Sequence, residues 1–92
     1  MLVFEVFVNG KRACTAGVGE YGVMTSILSL VKKPRCRRKM WLDVGGIPSG
    51  GADGDRMHVG WIGMKPISIG DEIRIKVTEK DEVDPPKYKR QF

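Results

Sequence analysis

The stretch GVMTSILSLVKK, Gly22 to Lys33, decides how the rest of the chain is arranged. In it Met24, Ile27, Leu28 and Val31 fall at i, i+3, i+4 and i+7, the spacing of one helical face. Ser26, Ser29 and Lys33 turn away, and Leu30 widens the stripe. Pro34 closes the segment, because the residue before a proline is pushed out of helical conformation, and Lys32 and Lys33 suit the negative end of a helix. The pattern predicts an amphipathic helix, with Leu28 on its buried face.

On both sides of this segment the period is two. Leu2, Phe4, Val6 and Val8 form one alternating run, and Cys14, Ala16 and Val18 form a second after Asn9-Gly10. Later, Met40, Leu42 and Val44 alternate with Trp41 and Asp43. Met57, Val59 and Trp61 alternate with His58 and Gly60, and Ile73, Ile75 and Val77 with Arg74, Lys76 and Thr78. The expected order is ββαβββ, an α+β fold in which one helix covers a mixed sheet. Residues 1–80 form this single small domain and 81–92 an extended C-terminal tail; another small β-roll or barrel is the alternative. Both strands of the first hairpin carry their apolar residues at even positions. Parity therefore predicts a three-residue loop, Val8-Asn9-Gly10, with Gly10 left-handed, Phe4 opposite Cys14 and Leu2 opposite Ala16.

A hairpin, a crossing helix and further strands, closed by Ile69-Gly70-Asp71-Glu72-Ile73-Arg74-Ile75, resemble the β-grasp fold of ubiquitin-like and sulfur-carrier proteins. The resemblance implies that the first and last strands, Leu2–Val8 and Ile73–Val77, lie side by side and parallel at the centre of the sheet. It also implies a terminal Gly-Gly in a modifier. The ending Pro85-Pro86-Lys87-Tyr88-Lys89-Arg90-Gln91-Phe92 has none, which disfavours a ubiquitin-like modifier role. The chain is also similar to small uncharacterised bacterial proteins with an Asp-Glu-Val-Asp-Pro-Pro tail, a likeness that carries no function.

Composition bounds the class. Across 92 residues, 41% hydrophobic and 29% charged side chains describe a folded globular domain. The opening MLVFEVFV contains Glu5 and lacks the basic flank of an export signal, and no apolar run approaches the length of a membrane helix, so a cytoplasmic location is expected. In that setting Cys14 and Cys36 are expected as free thiols. Arg35 and Arg37 flank Cys36 and favour its thiolate, yet no general base stands near it in sequence.

Charge placement is the strongest chemical feature. Lys32, Lys33, Arg35, Arg37, Arg38 and Lys39 supply six of the 16 basic residues, and the remainder nearly balance the 11 acids, so this segment carries the net charge of +5. Trp41 follows, and by alternation with Met40 and Leu42 it points away from the core. Cations beside an aromatic ring suit a polyanion with stacking bases, an acidic protein surface, or a solvated connection. Tail residues Pro85, Pro86, Tyr88 and Phe92 suit docking on a partner or a second copy.

Nothing points to catalysis. The glycine-rich stretch 45–54 lacks the Lys-Ser/Thr of a phosphate loop, and Asp53, Asp55 and His58 match no complete metal motif. No enzyme, cofactor or metal is expected. The reading is a non-catalytic protein-binding module or adaptor that engages a protein partner or itself; the alternative is a nucleic-acid binder using residues 32–39 with Trp41.

Overall fold

The computed structural model describes residues 1–35, 37–48 and 57–91. Seven strands follow one another: β1 Leu2–Val8, β2 Lys11–Ala16, β3 Gly22–Val31, β4 Lys39–Pro48, β5 Met57–Pro66, β6 Ile73–Glu79 and β7 Tyr88–Gln91. They form two antiparallel sheets, ordered β2-β1-β6 and β3-β4-β5-β7. There is no helix among the described residues, so the fold is all-β, and the expected α+β, β-grasp-like, ubiquitin-like architecture is corrected.

The correction turns on Gly22–Lys33, which is β3 paired along its length with β4. Apolar residues on both sides of a strand reproduce the i, i+3, i+4, i+7 spacing by chance of register. Local chemistry favours the strand: Val23, Thr25, Ile27 and Val31 are β-branched, and no Ser, Thr, Asp or Asn caps a helix at Tyr21 or Gly22. Gly22 has φ of 147° and sits where a Cβ would meet the Ile47 carbonyl and Val18, so the strand entry requires glycine. Leu28, expected in the core, is 58% exposed.

The first and last expected strands are neighbours, with β6 against β1, but antiparallel and not parallel. The first hairpin is also corrected. Asn9 (φ 53°) and Gly10 (φ 80°) form a two-residue turn that pairs Val8 with Lys11. Parity is restored one step later by a bulge at Ala13, where Phe7 faces Arg12 and Val6 faces Cys14. Phe4 then faces Ala16, not Cys14. Both even-numbered sets do share one face, and the bulge achieves what the longer loop was expected to do.

The core lies between the sheets. Val6, Cys14 and Ala16 from the first meet Leu42, Val44, Val59, Trp61 and Ile62 from the second. The sheets approach at β2 and β5. At their other edges, β3 and β6, apolar residues on core-side positions remain exposed, among them Leu28, Leu30 and Val77.

After β6 the chain crosses the outer face of the first sheet. Lys80 pairs with Glu5 at 3.2 Å, and Val83 lies against Val3 and Gly17. Asp84 then seals the edge of β2: its N–H donates to the Thr15 carbonyl, its carboxylate accepts from the Thr15 N–H and from Arg12, and its carbonyl accepts from Trp61 Nε1 at 2.6 Å. Beyond Pro85-Pro86, β7 adds to β5. Segment 81–92 therefore begins as an extended crossing and ends, at Tyr88–Gln91, as a strand of the second sheet.

Candidate nucleic-acid interface

Cross-strand partners share a face, so the β3–β4 register assigns the two sides of the second sheet. Met24, Ser26, Leu28 and Leu30 lie on the side of buried Leu42 and Val44. Val23, Thr25, Ile27, Ser29 and Val31 lie with Lys39, Trp41 and Asp43 on the outer side. Trp41 thus faces away from the core, as its alternation indicates, opposite Ser29 on one flank and Pro66 on the other.

The basic segment is the connection between β3 and β4. Lys32, Lys33, Arg35, Arg37, Arg38 and Lys39 are all exposed, and Arg35 takes a left-handed φ of 63° that turns the chain back. Cys36 lies outside the described residues, as do Asp53, Asp55 and Phe92. Arg38, Lys39, Met40 and Trp41 join Met64, Pro66 and Ile67 around one shallow depression. Asp43, Gly63, Met64, Tyr88 and Arg90 surround a second, and Met64 divides the two. Asp43 builds this ridge: its carboxylate accepts the Met64 N–H at 2.8 Å and holds Met64 at φ 46°, with the side chain 66% exposed.

Tyr88 belongs to the same surface, and the sequence gives little warning of it. Its ring covers Gly60, where a Cβ would lie inside the ring, and also approaches Gly63. Gly60 therefore reserves the space in which β7 docks. Arg90 lies over the Tyr88 ring at 5.4 Å, and His58 lies beside it with ring centroids 6.1 Å apart. Of the tail residues singled out for docking, Tyr88 is packed within its own chain, and Pro85 and Pro86 lead into its strand. The signal that could have located it is the glycine pair Gly60 and Gly63, two side-chain gaps in an otherwise bulky strand.

Folding also sorts the charge. The second sheet and its hairpin tip carry the six clustered cations with Lys65, Lys89 and Arg90, and Asp43 is their sole acid among the described residues. Glu5, Asp71, Glu72, Glu79, Asp81, Glu82 and Asp84 collect on the first sheet and the crossing that covers it. Tail acids could have neutralised the basic segment, but Asp84 is bound to Arg12 at 3.0 Å instead.

Burial, with Asp84 nearby as a smaller cause, pushes the Cys14 thiol up to about 11, which keeps it protonated and unreactive. No group of three potential metal ligands occurs among the described residues. Among the described residues no helix is long and apolar enough to cross a membrane. No protein-family model, curated protein or solved structure matches the chain.

Proposed function

We propose that the outer face of the second sheet binds single-stranded nucleic acid. The observation that carries this reading is that the second sheet and its β3–β4 tip bring together a cluster of cations, with Asp43 their sole acid among the described residues, and two outward aromatic side chains from distant parts of the sequence, Trp41 and Tyr88. Arg35, Arg37, Arg38 and Lys39 meet phosphates, Trp41 offers its indole for base stacking, and the Tyr88–Arg90 pair bounds the strand's path beyond Met64. The shallow relief suits an unstacked strand better than a small ligand, which requires an enclosed pocket.

Fluorescence anisotropy with labelled oligonucleotides at several salt concentrations tests the reading. Affinity should fall steeply as salt rises, and reversing Arg35, Arg37 and Arg38 to Glu should abolish binding while circular dichroism stays unchanged. Trp41→Ala should weaken binding by about 1 to 3 kcal/mol with little change in salt slope, because stacking releases no counterions. Absence of oligonucleotide binding at physiological salt would return the surface to the adaptor reading, with an acidic protein as the partner to seek.

A further inference from the structure

The two sheets end in four edges, and three are guarded. Asp84 caps β2, β6 carries Arg74 and Lys76, and β7 is a four-residue strand with Lys89 and Arg90. The fourth edge is different: β3 runs ten residues without a charge or a proline, and its Ile27, Leu28 and Leu30 are more than half exposed. An edge of this kind presents unpaired backbone groups to any strand of matching pattern. Near its middle, the buried Ser26 hydroxyl has no hydrogen-bond partner.

We infer that β3 is a self-recognition edge, along which two copies of the chain pair antiparallel about a twofold axis at Ser26 to join two four-stranded sheets into one of eight. Facing residues must share a face, so a twofold perpendicular to the sheet passes through a residue and not between two. Centring on Ser26 sets the two Ser26 residues opposite each other, with their small side chains on the covered, core side of the joined sheet. Met24 then meets Leu28 and Thr25 meets Ile27, two apolar or β-branched pairs on each side of the axis. Continued past the strand ends at Gly22 and Val31, the same register brings Glu20 toward Lys32 at both ends, and both residues are exposed. Centring on Ile27 instead sets Lys32 against Gly22 and Ser26 against Leu28, which loses the ion pairs and the apolar match. Antiparallel pairing also keeps the two basic tips at opposite ends of the joined sheet, whereas parallel pairing would crowd them.

The occupant is a second copy because the edge, centred on Ser26, complements itself in charge and apolar pattern. Light scattering of the full chain across a concentration series should show a dimer. In a Cys36→Ser background, Ser26→Cys should form an intermolecular disulfide under mild oxidation and Val23→Cys should not. Glu20→Lys and Lys32→Glu should each weaken the dimer by about 3- to 10-fold. The combined exchange should restore it. Ile27→Lys, at an exposed position that leaves the fold intact, should give monomer. A chain that stays monomeric up to about 1 mM, a dimer indifferent to Ile27→Lys, or cross-linking at 23 but not 26 would each overturn the inference.

Discussion

β1 and β3 read alike as apolar runs, yet three of the seven β1 residues are buried and none of the ten in β3 is. β1 lies between β2 and β6, with Val6 covered by the second sheet and Val3 covered by the returning chain at Val83. β3 lies at an edge, and its core-side residues run past the region where the other sheet covers them. Apolar content alone therefore does not set burial. The position of a strand in its sheet does, and that position is fixed by contacts many residues away.

The largest effect expected from this contrast comes from one cross-strand pair. Leu42 and Leu28 face each other on the same side of the second sheet, but Leu42 is 1% exposed and Leu28 58%. Leu42→Ala should destabilise the domain by about 2 to 5 kcal/mol, through lost transfer energy and the cavity left behind. Leu28→Ala should cost no more than about 0.5 kcal/mol in dilute protein. Chemical denaturation of both variants decides the matter. Equal losses would mean that the open edge is covered in the isolated chain.

A smaller loss is expected where the crossing segment meets β2. The Asp84 carboxylate accepts from Thr15 N–H and Arg12 at 2.9 and 3.0 Å, and it remains partly exposed. Asp84→Ala should cost about 1 to 2 kcal/mol, because a charge-assisted bond to a strand edge is lost while water reaches the freed groups. Amide exchange should accelerate at Thr15 more than at Val6. Uniform acceleration of both would show that the crossing holds the whole sheet and not its edge.

How much of this was legible follows residue by residue. Five strands outside Gly22–Lys33, namely β1, β2, β4, β5 and β6, are readable from alternation, because a half-buried strand writes its two faces at period two. β3 is not, because its faces are both mixed and no single period describes it. The Ala13 bulge is equally silent: parity shows that one extra residue is needed, and only the Asn9-Gly10 geometry shows that it lies in the strand and not in the turn. At the candidate site, the basic run and the outward Trp41 follow from local sequence. Tyr88 does not, since its place on Gly60 depends on a chain return of 28 residues.

The smallest effect expected concerns the turn that holds β1 against the approach to β6. Asn9 Nδ2 donates to Asp71 at 3.0 Å, Asn9 Oδ1 accepts the Glu72 N–H, and Ser68 N–H donates to the other Asp71 oxygen at 2.8 Å. These bonds, the Asn9 amide first and the Ser68 N–H second, hold the Asp71 carboxyl below its ordinary value of 3.8. A depressed carboxyl contributes stability above its unfolded pKa, and the contribution disappears as pH falls through the folded one. Asp71→Asn should therefore be less stable than the parent chain at pH 7. The difference should narrow below about pH 4, as the parent's carboxylate takes up its proton. Asn9→Gly keeps the left-handed turn, removes the leading hydrogen bond, and should shrink the same gap at neutral pH. Denaturation midpoints of the three proteins from pH 7 to pH 2 test this, and a difference that persists unchanged at the acid end would show that the carboxylate's charge is not what binds Asp71 to the turn.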